Sequence, residues 1–120
     1  MKNKTQFKIN RLIQEIVYSD RKEGFLKIYK NNTREHELVK FLIADKLMRQ
    51  GYKVYSECRF TRNRGKADLV VFSQGGDGTI VEVLNSESDE GYDEKLSKYP
   101  IEYNMVSVKT EGFDIDSWEL

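Results

Sequence analysis

The chain has 120 residues, 38% of them hydrophobic and 33% charged, with a formal net charge of zero. That length suits one compact domain with a real core and is too short for two. No apolar run approaches the roughly 20 residues of a membrane span. The single cysteine, Cys58, excludes an internal disulfide and a cysteine-based zinc site.

Met1-Lys2-Asn3-Lys4-Thr5-Gln6 carries no apolar stretch behind its charges, so no signal peptide is expected and a cytoplasmic setting fits. The zero charge hides an asymmetry. Residues 1–66 hold 17 Lys and Arg against 7 Asp and Glu, a balance of +10, and residues 67–120 hold 3 against 13, a balance of −10. A basic half suits a polyanion partner, or the two halves neutralise each other within the chain or across a dimer.

Residues 6–18 read as an amphipathic helix, with Phe7, Ile9, Leu12, Ile13, Ile16 and Val17 near helical spacing. Leu12, Ile13, Ile16 and Val17 then pack on the chain's own core or on a partner chain. Ser19 to Gly24 is a break, and Phe25 to Tyr29 is ambiguous between strand and helix. Asn31-Asn32-Thr33 offers caps for a second helix running to about Gln50, with Leu38, Leu42, Ile43, Leu47 and Met48 as its apolar stripe. Gly51 ends it. The period then changes to two. Tyr52 to Phe60 alternates as a half-buried strand does, with Glu57 on the side of Tyr55 and Arg59 as a salt-bridge partner and Cys58 as core filler.

Thr61-Arg62-Asn63-Arg64-Gly65-Lys66 is a basic turn. Two apolar strands follow, Ala67-Asp68-Leu69-Val70-Val71-Phe72 and Ile80-Val81-Glu82-Val83-Leu84, joined by the turn Gln74-Gly75-Gly76-Asp77-Gly78. Asn85 to Gly91 is an acidic loop, Tyr92 to Tyr99 a short helix stopped by Pro100, and Tyr103 to Val108 a last strand before a tail that holds Trp118. From residue 33 the order is helix, three strands, helix, strand. One domain is expected over 1–120, with 1–32 an N-terminal extension, 33–109 the core and 110–120 a tail.

Each central strand carries one acid. A carboxylate in an apolar strand is costly to bury unless it is paired, hydrogen-bonded or bound to a cation. Asp68 and Glu82 on adjacent strands repel, and a divalent metal with oxygen ligands resolves the conflict. Taken singly, Asp68 reads as a strand-end residue bonded to turn amides or to Arg64, and Glu82 as the partner of a neighbouring lysine. Glu35 reads as a first-turn helix acid, and His36 as a surface or partly packed side chain.

Arg34-Glu35-His36-Glu37-Leu38-Val39-Lys40-Phe41-Leu42, Gly51-Tyr52-Lys53-Val54, Ala67-Asp68-Leu69-Val70 and the strand of Glu82 together resemble the PD-(D/E)xK nuclease superfamily. Within it they resemble the archaeal Holliday junction resolvases, over about residues 33–109. The resemblance implies an α/β restriction-endonuclease-like core with a small mixed sheet, here preceded by an added N-terminal helix. It implies Mg²⁺ or Mn²⁺ held by Glu35, Asp68 and Glu82, phosphodiester hydrolysis on DNA, branched DNA included, and a homodimer. The chain departs from the motif at its lysine, because Leu84 stands where Glu-x-Lys is expected. Lys66, two residues before Asp68, or Lys95 on the following helix is the expected replacement. Lys53, Arg59, Arg62, Arg64 and Lys66 cluster with Tyr52, Tyr55 and Phe60 around the acid-bearing hairpin, a mixture that suits phosphate contacts with some stacking.

The expected function is therefore a metal-dependent DNA endonuclease, structure-selective in the manner of the resolvases. A non-catalytic nucleic-acid-binding or assembly module on a decayed nuclease fold is the alternative. A protein-interaction domain without nucleic acid is the third reading.

Overall fold

The computed structural model describes residues 2–85 and 89–120. The elements in chain order are α1 (Lys2–Ile13), a one-turn 3₁₀ helix (Tyr18–Asp20), α2 (Arg34–Arg49), β1 (Lys53–Arg59), a second 3₁₀ turn (Thr61–Asn63), β2 (Lys66–Phe72), β3 (Gly78–Leu84), α3 (Asp89–Lys98) and β4 (Asn104–Lys109). The class is α/β, as expected, and no described helix is long and apolar enough to cross a membrane. Residues 25–29 form neither helix nor strand, and the first helix ends earlier than its apolar spacing suggests. The expected acidic loop, Asn85 to Gly91, lies partly outside the described residues, and α3 already begins at Asp89.

The four strands form one mixed sheet in the order β1-β2-β3-β4. β1 pairs antiparallel with β2, and β2 with β3. β4 returns parallel to β3 after α3, because a parallel neighbour needs a crossover and a helix supplies it. Residues 16–28 cover the outer edge of β1. Val17 N donates to Arg59 O at 2.8 Å, Gly24 N donates to Val54 O at 2.8 Å, and Ser56 Oγ accepts from Lys27 N at 2.8 Å. Those bonds satisfy edge groups that would otherwise stay open.

Each face of the sheet has its own core. On one face Ile9 and Ile16 meet Tyr55, Phe60, Val70, Phe72, Ile80, Tyr99 and Tyr103, with Leu12 and Ile13 packed against them. Ile9, Leu12, Ile13 and Ile16 thus pack on their own chain, while Phe7 is exposed. On the other face Val39, Ile43, Ala44 and Leu47 of α2 lie on Val54, Leu69, Val71, Val81 and Val83, flanked by Phe113, Ile115 and Trp118 of the tail.

α2 begins where Thr33 Oγ1 accepts from His36 N at 3.1 Å and ends before Gly51, whose φ of 92° an L side chain adopts only with strain. Its buried stripe is Val39, Ile43, Ala44 and Leu47, with His36 and Lys40 in line. Leu38 and Met48, expected inside, are exposed instead. A phase error of one residue turns a helix by about 100°, and here it decides which polar groups reach the site.

Candidate functional site

The site forms where β2 and β3 part. Their last bonded pair is Leu69–Val81, and Asp68 and Glu82 are the next residue on each strand. On the other side of β2, Ser56 pairs with Leu69 and Cys58 with Ala67, and Glu57 and Asp68 leave the ladder between them. Glu57 has a φ of 50°. That turn breaks the alternation of β1 and swings Glu57 away from the side of Tyr55, contrary to the strand pattern. The capped start of α2 points at the same place. Asp68 and Glu82 therefore meet Glu57 of β1 and His36, Glu37 and Lys40 of α2.

His36 joins two carboxylates. Its Nδ1 lies 3.0 Å from Glu37 Oε1 and its Nε2 lies 3.2 Å from Asp68 Oδ2. Burial works against its protonation, but Asp68 and Glu37 outweigh burial and raise its pKa. His36, expected at the surface or partly packed, is buried because it continues the inward stripe of α2. Asp68 Oδ2 also accepts from Val83 N at 2.7 Å. Burial pushes Asp68 up, yet the bonds from His36, Glu82 and Val83 hold it below the usual carboxylate value.

Glu82 is 1% exposed and hydrogen-bonds with Asp68. Burial and the adjacent Asp68 push it up to about 9. The pair holds one proton between two carboxyls, the ordinary outcome when two such groups share a dry site. Tyr99 donates its hydroxyl to Glu82 Oε1, and that hydroxyl lies 2.9 Å from the Lys66 carbonyl.

Lys40 is fully buried. Its ammonium donates to Lys27 O at 2.7 Å and lies 2.8 Å from Glu37 Oε2 and 3.5 Å from Glu57 Oε2. Burial raises Glu37, and Lys40, Asn32 and His36 more than reverse it. Both Glu57 oxygens are buried without a hydrogen bond. They face the ammonium of Lys40 and that of Lys66, the latter at 3.3 Å. Burial, with Asp68 adding to it, raises Glu57 above the ordinary glutamate pKa against the pull of the two lysines.

A cleft of about 520 Å³ opens over this group, lined by His36, Glu57, Asp68, Tyr99, Lys66, Lys95 and Lys98 with the amides of Asn31, Asn32 and Asn85. The structure thus brings Asp68, Glu82, Lys66 and Lys95 to one place, and Lys95 acts on Glu82 electrostatically. Lys66 pairs with Glu57, and its ammonium lies 4.1 Å from the centre of the Tyr29 ring. Glu35 is exposed, one position out of phase with His36, and does not join the cleft. Its carry-over as a ligand is corrected on that ground.

The expected phosphate contacts divide. Arg59 is bonded to Asp20 at 2.9 Å and Arg64 is paired with Glu15, so both guanidiniums are committed inside the chain. Lys53 donates to Gln6 at 3.3 Å, and Arg62 is exposed. Asp20 in its turn is pulled to about 2: burial opposes this, and Arg59 and Lys27 outweigh burial.

His36, Glu37 and Lys40 could have been found from the sequence. They fall at helical spacing with Val39, Ile43 and Leu47, so the inward stripe contains them once the Thr33 cap fixes the phase. No local signal marks Glu57, whose turn depends on groups from α2 and β2.

Among the described residues, no group of three or more His, Cys, Asp or Glu side chains is arranged to hold a metal ion. Two facing carboxylates still suit Mg²⁺, which is held by one or two carboxylates together with water and substrate phosphates. Compared with family models, curated proteins and solved structures, the chain matches none.

Proposed function

We propose that the protein is a metal-dependent endodeoxyribonuclease on a restriction-endonuclease-like core, similar to the Holliday junction resolvases and, like them, acting on branched DNA as a homodimer. One observation carries the reading. Asp68 and Glu82 lie together just past the last β2–β3 pair and hydrogen-bond each other, and Asp68 lines a cleft with Lys66 and Lys95 while Glu82 is buried beside it. The order of helix, three strands, helix and strand around a mixed sheet supports it.

Asp68 and Glu82 would hold Mg²⁺, which when bound lowers the pKa of a water and offsets charge on the scissile phosphate. The chain's own groups do the rest. His36 and the Val83 amide fix Asp68 in orientation. Tyr99 fixes Glu82. Lys66 and Lys95 place positive charge over the cleft, where a phosphodiester gathers negative charge in its transition state.

Cation binding must displace the proton that Glu82 holds, so calorimetry with Mn²⁺ near neutral pH should show about one proton released, and Asp68→Asn should abolish the heat. Cleavage of branched, single-stranded and duplex DNA should then require the metal. No Mn²⁺ binding in the wild type, or equal binding by Asp68→Asn, refutes the site.

A second reading is favoured by one observation: the position of the motif lysine holds the buried Leu84, while Lys40 and Lys66 are both tied to Glu57. On that reading the chain binds nucleic acid without cutting it. A wild type that binds and does not cut, made active by Leu84→Lys, would establish it.

A further inference from the structure

Three basic side chains of α1 lie outside the cleft. Lys4, Lys8 and Arg11 follow at four and three residues, so they form one strip, and all three are exposed. The opposite side of the helix buries Ile9 and packs Leu12 and Ile13 into the core. The helix packs closely on the sheet. A Cβ added at Gly76 would come within 3.2 Å of both Lys8 Cβ and Thr5 O, and the Tyr103 hydroxyl donates to Leu12 O at 2.7 Å. Past its C-terminal end, Glu15 O accepts from Thr61 N at 2.8 Å and Ile16 bridges Phe60. α1 therefore runs along the sheet from the β2–β3 turn to the turn that carries Arg62 and leads into Lys66.

The strip is unmatched in charge. α1 contains no acid. Among the described residues none of the three bases is ion-paired, whereas Arg49, Arg59 and Arg64 are each matched to a carboxylate. Asp77 and Glu102 share a shallow groove with Lys8 and Arg11 but do not pair with them. The acids Glu111, Asp114, Asp116 and Glu119 belong to the tail, whose Phe113, Ile115 and Trp118 pack on the other face of the sheet. The outer side of α1 thus presents bases with no acid of its own, which suits a polyanion.

We propose that the outer face of α1 is a second nucleic-acid contact: Lys4, Lys8 and Arg11 form a phosphate track that continues through Arg62 to the cleft and seats one strand of a duplex arm. The identity of the polyanion rests on the nuclease reading above. The dimensions agree. Seven residues of helix span about 10 Å at 1.5 Å each, so three bases along that length can meet about two to three successive phosphates of one strand. A membrane surface fits less well. An interfacial helix inserts its apolar face, and that face of α1 is already buried, leaving only Phe7.

The test is binding of a short labelled duplex in EDTA across about 50 to 300 mM salt, for wild type and for Lys4→Gln/Lys8→Gln/Arg11→Gln. The three side chains are exposed, so the variant should keep the wild-type circular dichroism. Each phosphate contact contributes about 0.9 to the slope of log affinity against log salt. The triple variant should flatten that slope by about 2 to 3 and bind about a hundredfold more weakly near 100 mM salt. An unchanged slope and affinity overturns the track. So does a wild type that binds no duplex, or one that uses these residues only on phosphatidylserine vesicles. A wild type that binds through α1 but never cuts with Mg²⁺ refutes the nuclease reading and leaves the track standing. Metal-dependent cutting with an unaltered slope in the variant does the reverse.

Discussion

Replacing Glu82 by glutamine isolates the proton that it shares with Asp68. In the folded chain Glu82 is pushed up to about 9 by burial and by Asp68, against 4.5 in its ordinary state. Between those values the native protein keeps a proton that the unfolded chain has released. Stability therefore falls as pH rises through that window, by 2.303RT or about 1.4 kcal/mol per pH unit. Below the unfolded pKa this contribution is fully present, and above the folded value its loss is complete. From about pH 5 to 8 the loss amounts to about 4 kcal/mol, a large part of the 5–15 kcal/mol that holds a typical domain. Glutamine preserves the shape and the bond to Tyr99 but does not titrate. His36, also raised, loses its contribution as pH climbs through its folded pKa, in the same direction and in both proteins. The informative quantity is thus the difference between the two profiles. Urea unfolding followed by fluorescence across that pH range should show the wild type losing about 4 kcal/mol more than Glu82→Gln. Parallel profiles would refute the shared proton, and with it the closeness of the two carboxyls.

Lys40→Ala should destabilise the fold by about 3 kcal/mol in the same urea assay, because it leaves the buried Glu57 with only the half-exposed Lys66 and removes the ammonium from Glu37. A cost below about 1 kcal/mol would mean that the cluster is wetter than its geometry. Asp20, held at about 2 against 3.8, stabilises the fold above its unfolded pKa and loses that contribution as pH falls toward 2. Asp20→Asn should therefore lower stability at neutral pH and flatten the acid limb between those values in a circular dichroism titration. An acid limb as steep as that of the wild type would assign acid unfolding to other groups.

The sequence by itself determined the α/β class, the extent of α2, the three successive strands, the turn at Gln74 to Gly78 and the central placement of Asp68 and Glu82. These are readable because each is local. A period of two or 3.6, a cap and a glycine act within a few residues of one another. Tertiary structure decided which polar groups join the two acids. Glu35 and His36 are neighbours in the chain, and only the packing of α2 on the sheet selects His36 for the interior, with Glu37 half-buried beside it, and leaves Glu35 outside. The burial of Lys40 follows from the same phase, together with a carbonyl of residue 27 and a carboxylate of residue 57. Glu57 leaves the strand pattern at a residue whose neighbours would have kept it on the side of Tyr55. Arg59 at the end of β1 and Arg64 in the basic turn after it are consumed by Asp20 and Glu15, 39 and 49 positions away. No pattern within one element can report an ion pair over that separation, because the two charges meet only after residues 14–29 have been laid along the edge of β1 and α1 across its face.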